Sequence, residues 1–302
     1  MTRSSFALPV PTALPVAVAV AVAVAVAEPS PMLAASPVSE PSPAPEPSAM
    51  PASNGTSRPA VATERAFRAA LRGLGTTQKP GNGVPAYTRW VNRRLARFAA
   101  ALAYSLGWSA NAVTATSALF SVGGLSLLVA LPPSVGSGVG AAVLLAIGYV
   151  LDSADGQVAR LGRNGGPSGE WLDHVVDAMR TPAIHLSVLI GLHAVPGIGT
   201  WPLLIAIGYC LVSCGQFLSQ ILSEQLAGSA VPVSNTAGVK QSLVLVPTDT
   251  GTLCWVFLLW GAPTVFVWVY ALMFLLNTVH AAISMRRKYV RLVALNQQFA
   301  GG

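Results

Sequence analysis

The sequence predicts an all-α integral membrane protein, a six-transmembrane-helix bundle preceded by an interfacial amphipathic helix. Three observations carry that prediction. The 302 residues are 53% hydrophobic and only 10% charged, with a mean hydropathy of +0.58, which is a membrane composition. Apolar segments recur from residue 110 to residue 285, most of them long enough for a span of ~20 residues. The turns between them alternate between uncharged and basic.

Residues 1–60 are rich in Pro, Ala, Val and Ser and carry few charges. A short basic start, an apolar stretch over 6–27 and an Ala-Val-Ala end imitate a signal peptide, although Pro9, Pro11 and Pro15 interrupt it. We read 1–60 as a low-complexity, disordered tail. A signal peptide, an anchor that adds a seventh span, and a misassigned start with Met50 as the later candidate are the alternatives. Residues 61–107 form a basic linker and interfacial helix. Arg89, Arg93 and Arg97 recur every four residues beside Arg94, while Trp90, Leu95, Phe98 and Leu102 supply apolar surface. Such a stretch suits the anionic face of a membrane.

The membrane domain is placed at 108–291, and 292–302 is read as a C-terminal tail. Six spans are expected near 110–131, 138–159, 169–193, 201–223, 248–261 and 263–285. Ser109-Ala110-Asn111 suits the start of the first. The fifth is short, and either extends back through Leu243–Val246 or is kinked at Pro247. The turns near 132–137, 194–200 and 261–263 contain no charge. The opposite ends carry Arg89–Arg97, Arg160, Arg163, Lys240, Arg286, Arg287, Lys288 and Arg291. The positive-inside rule then puts both ends of the six-span core in the cytoplasm. The expected location is the plasma membrane of a bacterium, with the site facing the cytoplasm.

The net charge of +7 does not mark a nucleic-acid binder, because the basic residues flank apolar spans instead of forming one soluble patch. Cys210, Cys214 and Cys254 all lie in apolar segments and read as small core residues, with no disulfide framework.

Four carboxylates at the cytoplasmic bend between the second and third spans carry the chemistry. Asp152 and Asp155 precede Gly156, and Asp173 and Asp177 follow Gly169. Residues 152, 155 and 159 share one helical face, as do 169, 173, 177 and 180. Acids beside lipid need a partner or a metal, and two antiparallel helices can converge such acids on a hard cation. The bland alternative is a pair of helices whose acids form ion pairs with Arg160, Arg163 and Arg180.

The pattern D-x-x-D-G-x-x-A-R, eight residues, G-x-x-x-D-x-x-x-D resembles the CDP-alcohol phosphatidyltransferase signature. Asp152, Asp155, Gly156, Ala159, Arg160, Gly169, Asp173 and Asp177 fill every fixed position. The resemblance spans roughly 105–290 and is diagnostic only over 152–177. It implies transfer of a phosphatidyl or related phosphoryl-alcohol group from a CDP-alcohol, such as CDP-diacylglycerol, to a small alcohol or phosphorylated polyol, with release of CMP, in phospholipid biosynthesis. It also implies Asp152, Asp155 and Asp173 as metal ligands. Asp177 matches the general base and a further metal ligand, and Gly156, Ala159 and Arg160 match CDP contacts. Two Mg2+ or Mn2+ ions suit the all-oxygen ligand set. Asn111 and Thr114 echo a weaker N-x-x-T feature of relatives, with Ala110 where they carry Pro. A homodimer is implied by resemblance alone.

Outside the signature, Arg180 lies on the Asp173–Asp177 stripe. It is expected either to bind an acceptor phosphate or to balance the charge of the acids. Lys240 is a weaker candidate for the acceptor. Gln216, Gln220 and Glu224 share a face and are expected to bond between helices first and to line the site second. Asp249, Asn277 and His280 are expected to cap or pack, and His174, His185 and His193 show no ligand constellation. Two competing functions are a transporter of an anionic solute that uses the acids and Arg180, and an inactive membrane scaffold. No inverted repeat supports the transporter.

Overall fold

The computed structural model describes residues 59–76, 83–162, 166–227 and 238–300. The tail over 1–58, and with it the signal-like segment, lies outside the described residues, as does Arg163. Every regular element among the described residues is helical. In chain order they are α1 (Pro59–Thr76), a π-helical turn (Thr88–Asn92), α2 (Arg93–Ser105), α3 (Ala110–Ala130), α4 (Val135–Gly162), α5 (Pro167–His193) and α6 (Trp201–Ala227). There follow α7 (Val239–Val244), a 3₁₀ turn (Val246–Thr248), α8 (Thr250–Val256), a second 3₁₀ turn (Phe257–Leu259) and α9 (Pro263–Ala300).

Five of these helices, α3, α4, α5, α6 and α9, are long and apolar enough to cross a membrane. The chain is therefore an all-helical, multi-pass protein by length and composition. The expected fifth span differs from a continuous helix. Pro247 lacks an N–H, and Asp249 adopts an extended conformation (φ −85°, ψ 120°), so one helix ends and another begins. The Asp249 side chain accepts the Gly251 N–H at 2.9 Å and caps α8. The broken segment still runs beside α4. At one end a Cβ placed on Gly251 would stand 2.9 Å from Tyr149 Cε1. At the other, a Cβ placed on Gly261 would stand 2.6 Å from Val135 N.

Ser109 caps α3 by accepting the Ala112 N–H at 3.2 Å, where the sequence places the start of the first span. Pro167 occupies the first turn of α5, where its missing N–H costs nothing. α3 packs most intimately on α4, and small residues permit it. A Cβ on Gly148 would sit 2.7 Å from Ser121 Oγ and 3.1 Å from the Ser117 carbonyl. Apolar burial gives little drive between helices in lipid, so close packing and hydrogen bonds must hold such faces.

Two cores result. One lies toward the uncharged turns, where Trp260, Phe257, Phe266 and Tyr270 pack with Leu128, Val188 and Leu192. The other lies beneath α1 and α2, where Leu74, Ala96 and Ala100 meet Val113, Ala154 and Val158. α9 has its apolar residues on both faces: Phe266, Tyr270 and Met273 point inward while Trp268, Leu272, Leu275 and Leu276 remain exposed. That arrangement suits a helix between protein and lipid.

Candidate active site

α4 and α5 each pack against α3, and their acids converge beside it. Asp152 and Asp155 are one turn apart on α4, and Asp173 arrives from α5. One carboxylate oxygen from each lies within 4.8 Å of the others. Three hard oxygen donors at this spacing fit a divalent cation of the Mg2+ or Mn2+ kind. Asp155 is held in place from two sides. Its Oδ2 accepts from Thr114 Oγ1 (2.7 Å), and its Oδ1 accepts the Gly156 N–H (2.5 Å). Thr114 belongs to α3, so the weak N-x-x-T feature supplies a direct partner to a signature acid.

Asp177 stands apart from this trio. Its Oδ1 accepts from Arg180 Nη1 at 3.0 Å, and the same nitrogen donates to Asp152 Oδ1 at 2.7 Å. Arg180 Nη2 donates to Ser117 Oγ (2.8 Å), and Ser117 Oγ in turn donates to the Gly148 carbonyl (2.8 Å). Arg180 is thus buried among two carboxylates and a hydroxyl. A buried ion pair of this kind is sustained only by good geometry and further hydrogen bonds. The close approach of α3 and α4 at Gly148 brings Ser117 to it. Within α5, Pro182 has no N–H, so the Ala178 carbonyl lacks its helical donor.

The remaining signature positions lie nearer the helix ends. Gly156 and Ala159 are half-buried and Arg160 is exposed. A Cβ on Gly156 would lie 3.5 Å from Arg160 Nη1, so that guanidinium rests over the glycine. Ala159 and Gly162 line a cavity of about 370 Å³ together with Tyr104, Trp108 and Asn111. A Cβ on Gly169 would lie 3.5 Å from Asn111 Oδ1.

A second cavity, of about 400 Å³, opens beside Asp152, Asp177 and Arg180, and continues to Tyr209, Ser213 and Asn277. Gln216 and Gln220 line it, and the Gln220 amide bonds Glu224 on its own helix. The interhelical bond expected of Gln220 and Glu224 is thus replaced by one within α6. Lys240 is exposed on α7 and does not line this cavity, whereas its neighbour Gln241 lines an adjoining one.

His185 is the feature that sequence reasoning passed over. Its ring lies 2.7 Å from Tyr270 Oη and 3.0 Å from Ser213 Oγ, and stacks on Tyr209 at 4.2 Å between centroids. Ser117 was also missed. It follows Thr114 and precedes Ser121 on one face of α3, a polar stripe that could have pointed to it. His174 lies 3.8 Å from Glu170 on the surface, and His193 is exposed at the far end of α5. Asn277 packs, donating to Tyr209 Oη (2.7 Å) and to the Pro247 carbonyl (2.6 Å).

A family model described as CDP-alcohol phosphatidyltransferase matches residues 108–288, more than half of the chain. No curated protein matches the chain.

Proposed function

The chain belongs to the CDP-alcohol phosphatidyltransferase family, and from that premise we propose that it moves a phosphatidyl group from CDP-diacylglycerol to a small alcohol and releases CMP. The observation that carries this reading is the arrangement of the four acids: Asp152, Asp155 and Asp173 converge, while Asp177 lies outside that trio and borders a polar cavity that Asp152 also lines. The trio suits a pyrophosphate and the adjoining cavity an alcohol.

In this reading Asp152, Asp155 and Asp173 hold Mg2+ or Mn2+, two ions in the full site. When bound, the metal neutralises pyrophosphate charge and eases departure of CMP. Arg160, over Gly156, pairs with a donor phosphate. The cavity beside Ala159 and Trp108 receives the nucleoside. The acceptor oxygen attacks the phosphorus that bears the diacylglycerol, and the bond from that phosphorus to the CMP oxygen breaks. Asp177 takes the hydroxyl proton as the new bond forms. Arg180 fixes the Asp177 carboxylate and balances the charge of Asp152. Positioning and fixed charge supply most of the acceleration. The site opens toward the cytoplasm, where CDP and acceptor are both in water while the acyl chains remain in lipid.

The test is direct. Purified full-length protein is incubated with CDP-diacylglycerol, Mg2+ or Mn2+ and a panel of alcohols, and CMP is measured. Metal-dependent, acceptor-dependent CMP release is expected. No CMP with any acceptor would overturn the reading.

A further inference from the structure

The cavity beside Asp177 carries more than a place for an alcohol, because its lining restricts which alcohol. Among the described residues, Arg180 is the only cation that lines it. Its Nη1 is shared by Asp152 and Asp177, and its Nη2 is taken by Ser117. The Arg180 Nε has no partner but is buried out of reach, so an acceptor phosphate would compete at Nη1 with two half-buried carboxylates and meet the negative charge of both.

The third acid of the lining, Asp249, is also occupied. Its Oδ2 accepts the Thr88 N–H (2.8 Å), and its Oδ1 accepts Thr88 Oγ1 (2.9 Å) and the Gly251 N–H (2.9 Å). Tyr149 Oη also approaches that oxygen, at 3.4 Å. An ammonium group would find this carboxylate already satisfied. Charged groups therefore surround the cavity but are paired with one another. The neutral groups keep capacity for a ligand: Ser153 Oγ accepts from Asn92 and Thr181 Oγ1 donates to the Asp177 carbonyl, which leaves each hydroxyl a further bond, as it does Ser213 and the Gln220 amide, and Gln216 and Thr250 line the same cavity.

The floor points the same way. His185 and Ser213 lie well below Asp177, since residue 185 is ~12 Å further along α5. Polar groups at such depth are costly without a purpose. Here His185, Ser213, Tyr209 and Asn277 are joined by hydrogen bonds and stacking into one rigid polar surface. The volume of about 400 Å³ falls within the ~300–1,000 Å³ of small-ligand sites.

We infer that this cavity binds an uncharged, polyhydroxylated acceptor, with one hydroxyl at Asp177 and a distal hydroxyl on Ser213 Oγ, which His185 orients. The inference rests on the phosphatidyl-transfer reading above. It assigns Arg180 to positioning and charge balance, not to an acceptor phosphate.

Full-length protein in nanodiscs, with CDP-diacylglycerol and Mn2+, is offered matched pairs: myo-inositol against inositol 1-phosphate, and glycerol against glycerol 3-phosphate. Serine is run beside them. The neutral member of a pair should give a kcat/KM at least ~10-fold above its phosphate and above serine, a gap worth one good hydrogen bond. Ser213→Ala and His185→Gln should each raise the KM of that acceptor by about 10-fold and leave the KM of CDP-diacylglycerol unchanged. A preference for the phosphorylated acceptors or for serine would remove the inference and leave phosphatidyl transfer standing. An equal rise in both KM values would also remove it, since the floor would then be structural or would seat the donor. Absence of CMP with every acceptor would overturn the phosphatidyl-transfer reading, and the inference with it.

Discussion

Asp177 and Asp155 have the same side chain, yet the structure gives them different partners, and their substitutions should fail differently. Asp177 is held by Arg180 and borders the acceptor cavity. Asp177→Asn should abolish turnover while nucleotide binding, followed by equilibrium titration with CDP, stays within a few-fold of the parent. Loss of CDP binding together with turnover would make Asp177 mainly a metal ligand. Asp155 is oriented by Thr114. Thr114→Val keeps the shape and removes that donor, so Asp155 loses one charge-assisted bond of ~1.5–3 kcal/mol. The metal concentration for half-maximal activity should rise roughly 10-fold or more, with acceptor KM unchanged at saturating metal. An unchanged metal requirement would count against Thr114 as an orienting residue. Helix periodicity puts 152 with 155 and 173 with 177 on shared faces, but that Asp177 parts from Asp173 toward Arg180 was not legible from it. Ser117 and His185 were not legible either, because periodicity does not say which helices are neighbours, and their partners lie on other elements.

At the scale of elements, the site depends on how closely α3 approaches α4. Gly148 sets that distance, since a side chain there would meet both Ser121 and the Ser117 backbone. Gly148→Leu should push the helices apart, break the Ser117 bond to the Gly148 carbonyl and release Ser117 from Arg180. Overpacking of this kind costs typically ~1–3 kcal/mol. We expect a lower melting temperature in detergent and a kcat reduced by more than the stability loss explains at low temperature. Normal kcat in a destabilised variant would show that the α3 contact supports only the fold. The long spans were legible from their apolar length, and the cap at Ser109 from its residue type. The fifth span was the hardest to read. Pro247 marked the break, but Asp249 could not be seen to join the π-helical turn to α8, because Thr88 lies 161 residues earlier in the chain.

The distribution of charge over the whole molecule matches its distribution of surface. The turns at 132–134 and 194–200 are uncharged, and Trp201 and Trp268 pair near that side at 5.2 Å between centroids. The acidic site, Arg89, Arg94 and Arg160 lie toward the other side, where Trp108 and Trp171 are exposed. On α2 the exposed Leu95, Phe98 and Leu102 form one stripe and the buried Ala96, Ala100 and Ala103 another. A helix with alanines toward protein and large apolar groups outward suits a position at the membrane surface. α1 closes the second core over it: Leu74 is fully buried, and Arg97 Nη2 donates to the Leu71 carbonyl at 3.4 Å. Two truncations should therefore part company. A chain beginning at residue 59 retains every described contact, and should insert and turn over like the full chain. A chain beginning at residue 83 lacks α1, exposes Ala96, Ala100 and Val158, and should melt several degrees lower, since one buried leucine contributes ~1.5–3 kcal/mol. The comparison needs CMP release and thermal unfolding on both proteins in the same detergent. Loss of activity in the shorter truncation, with its melting temperature preserved, would show that residues 1–58 serve the reaction; equal stability of the two would show that α1 is not part of the fold's core.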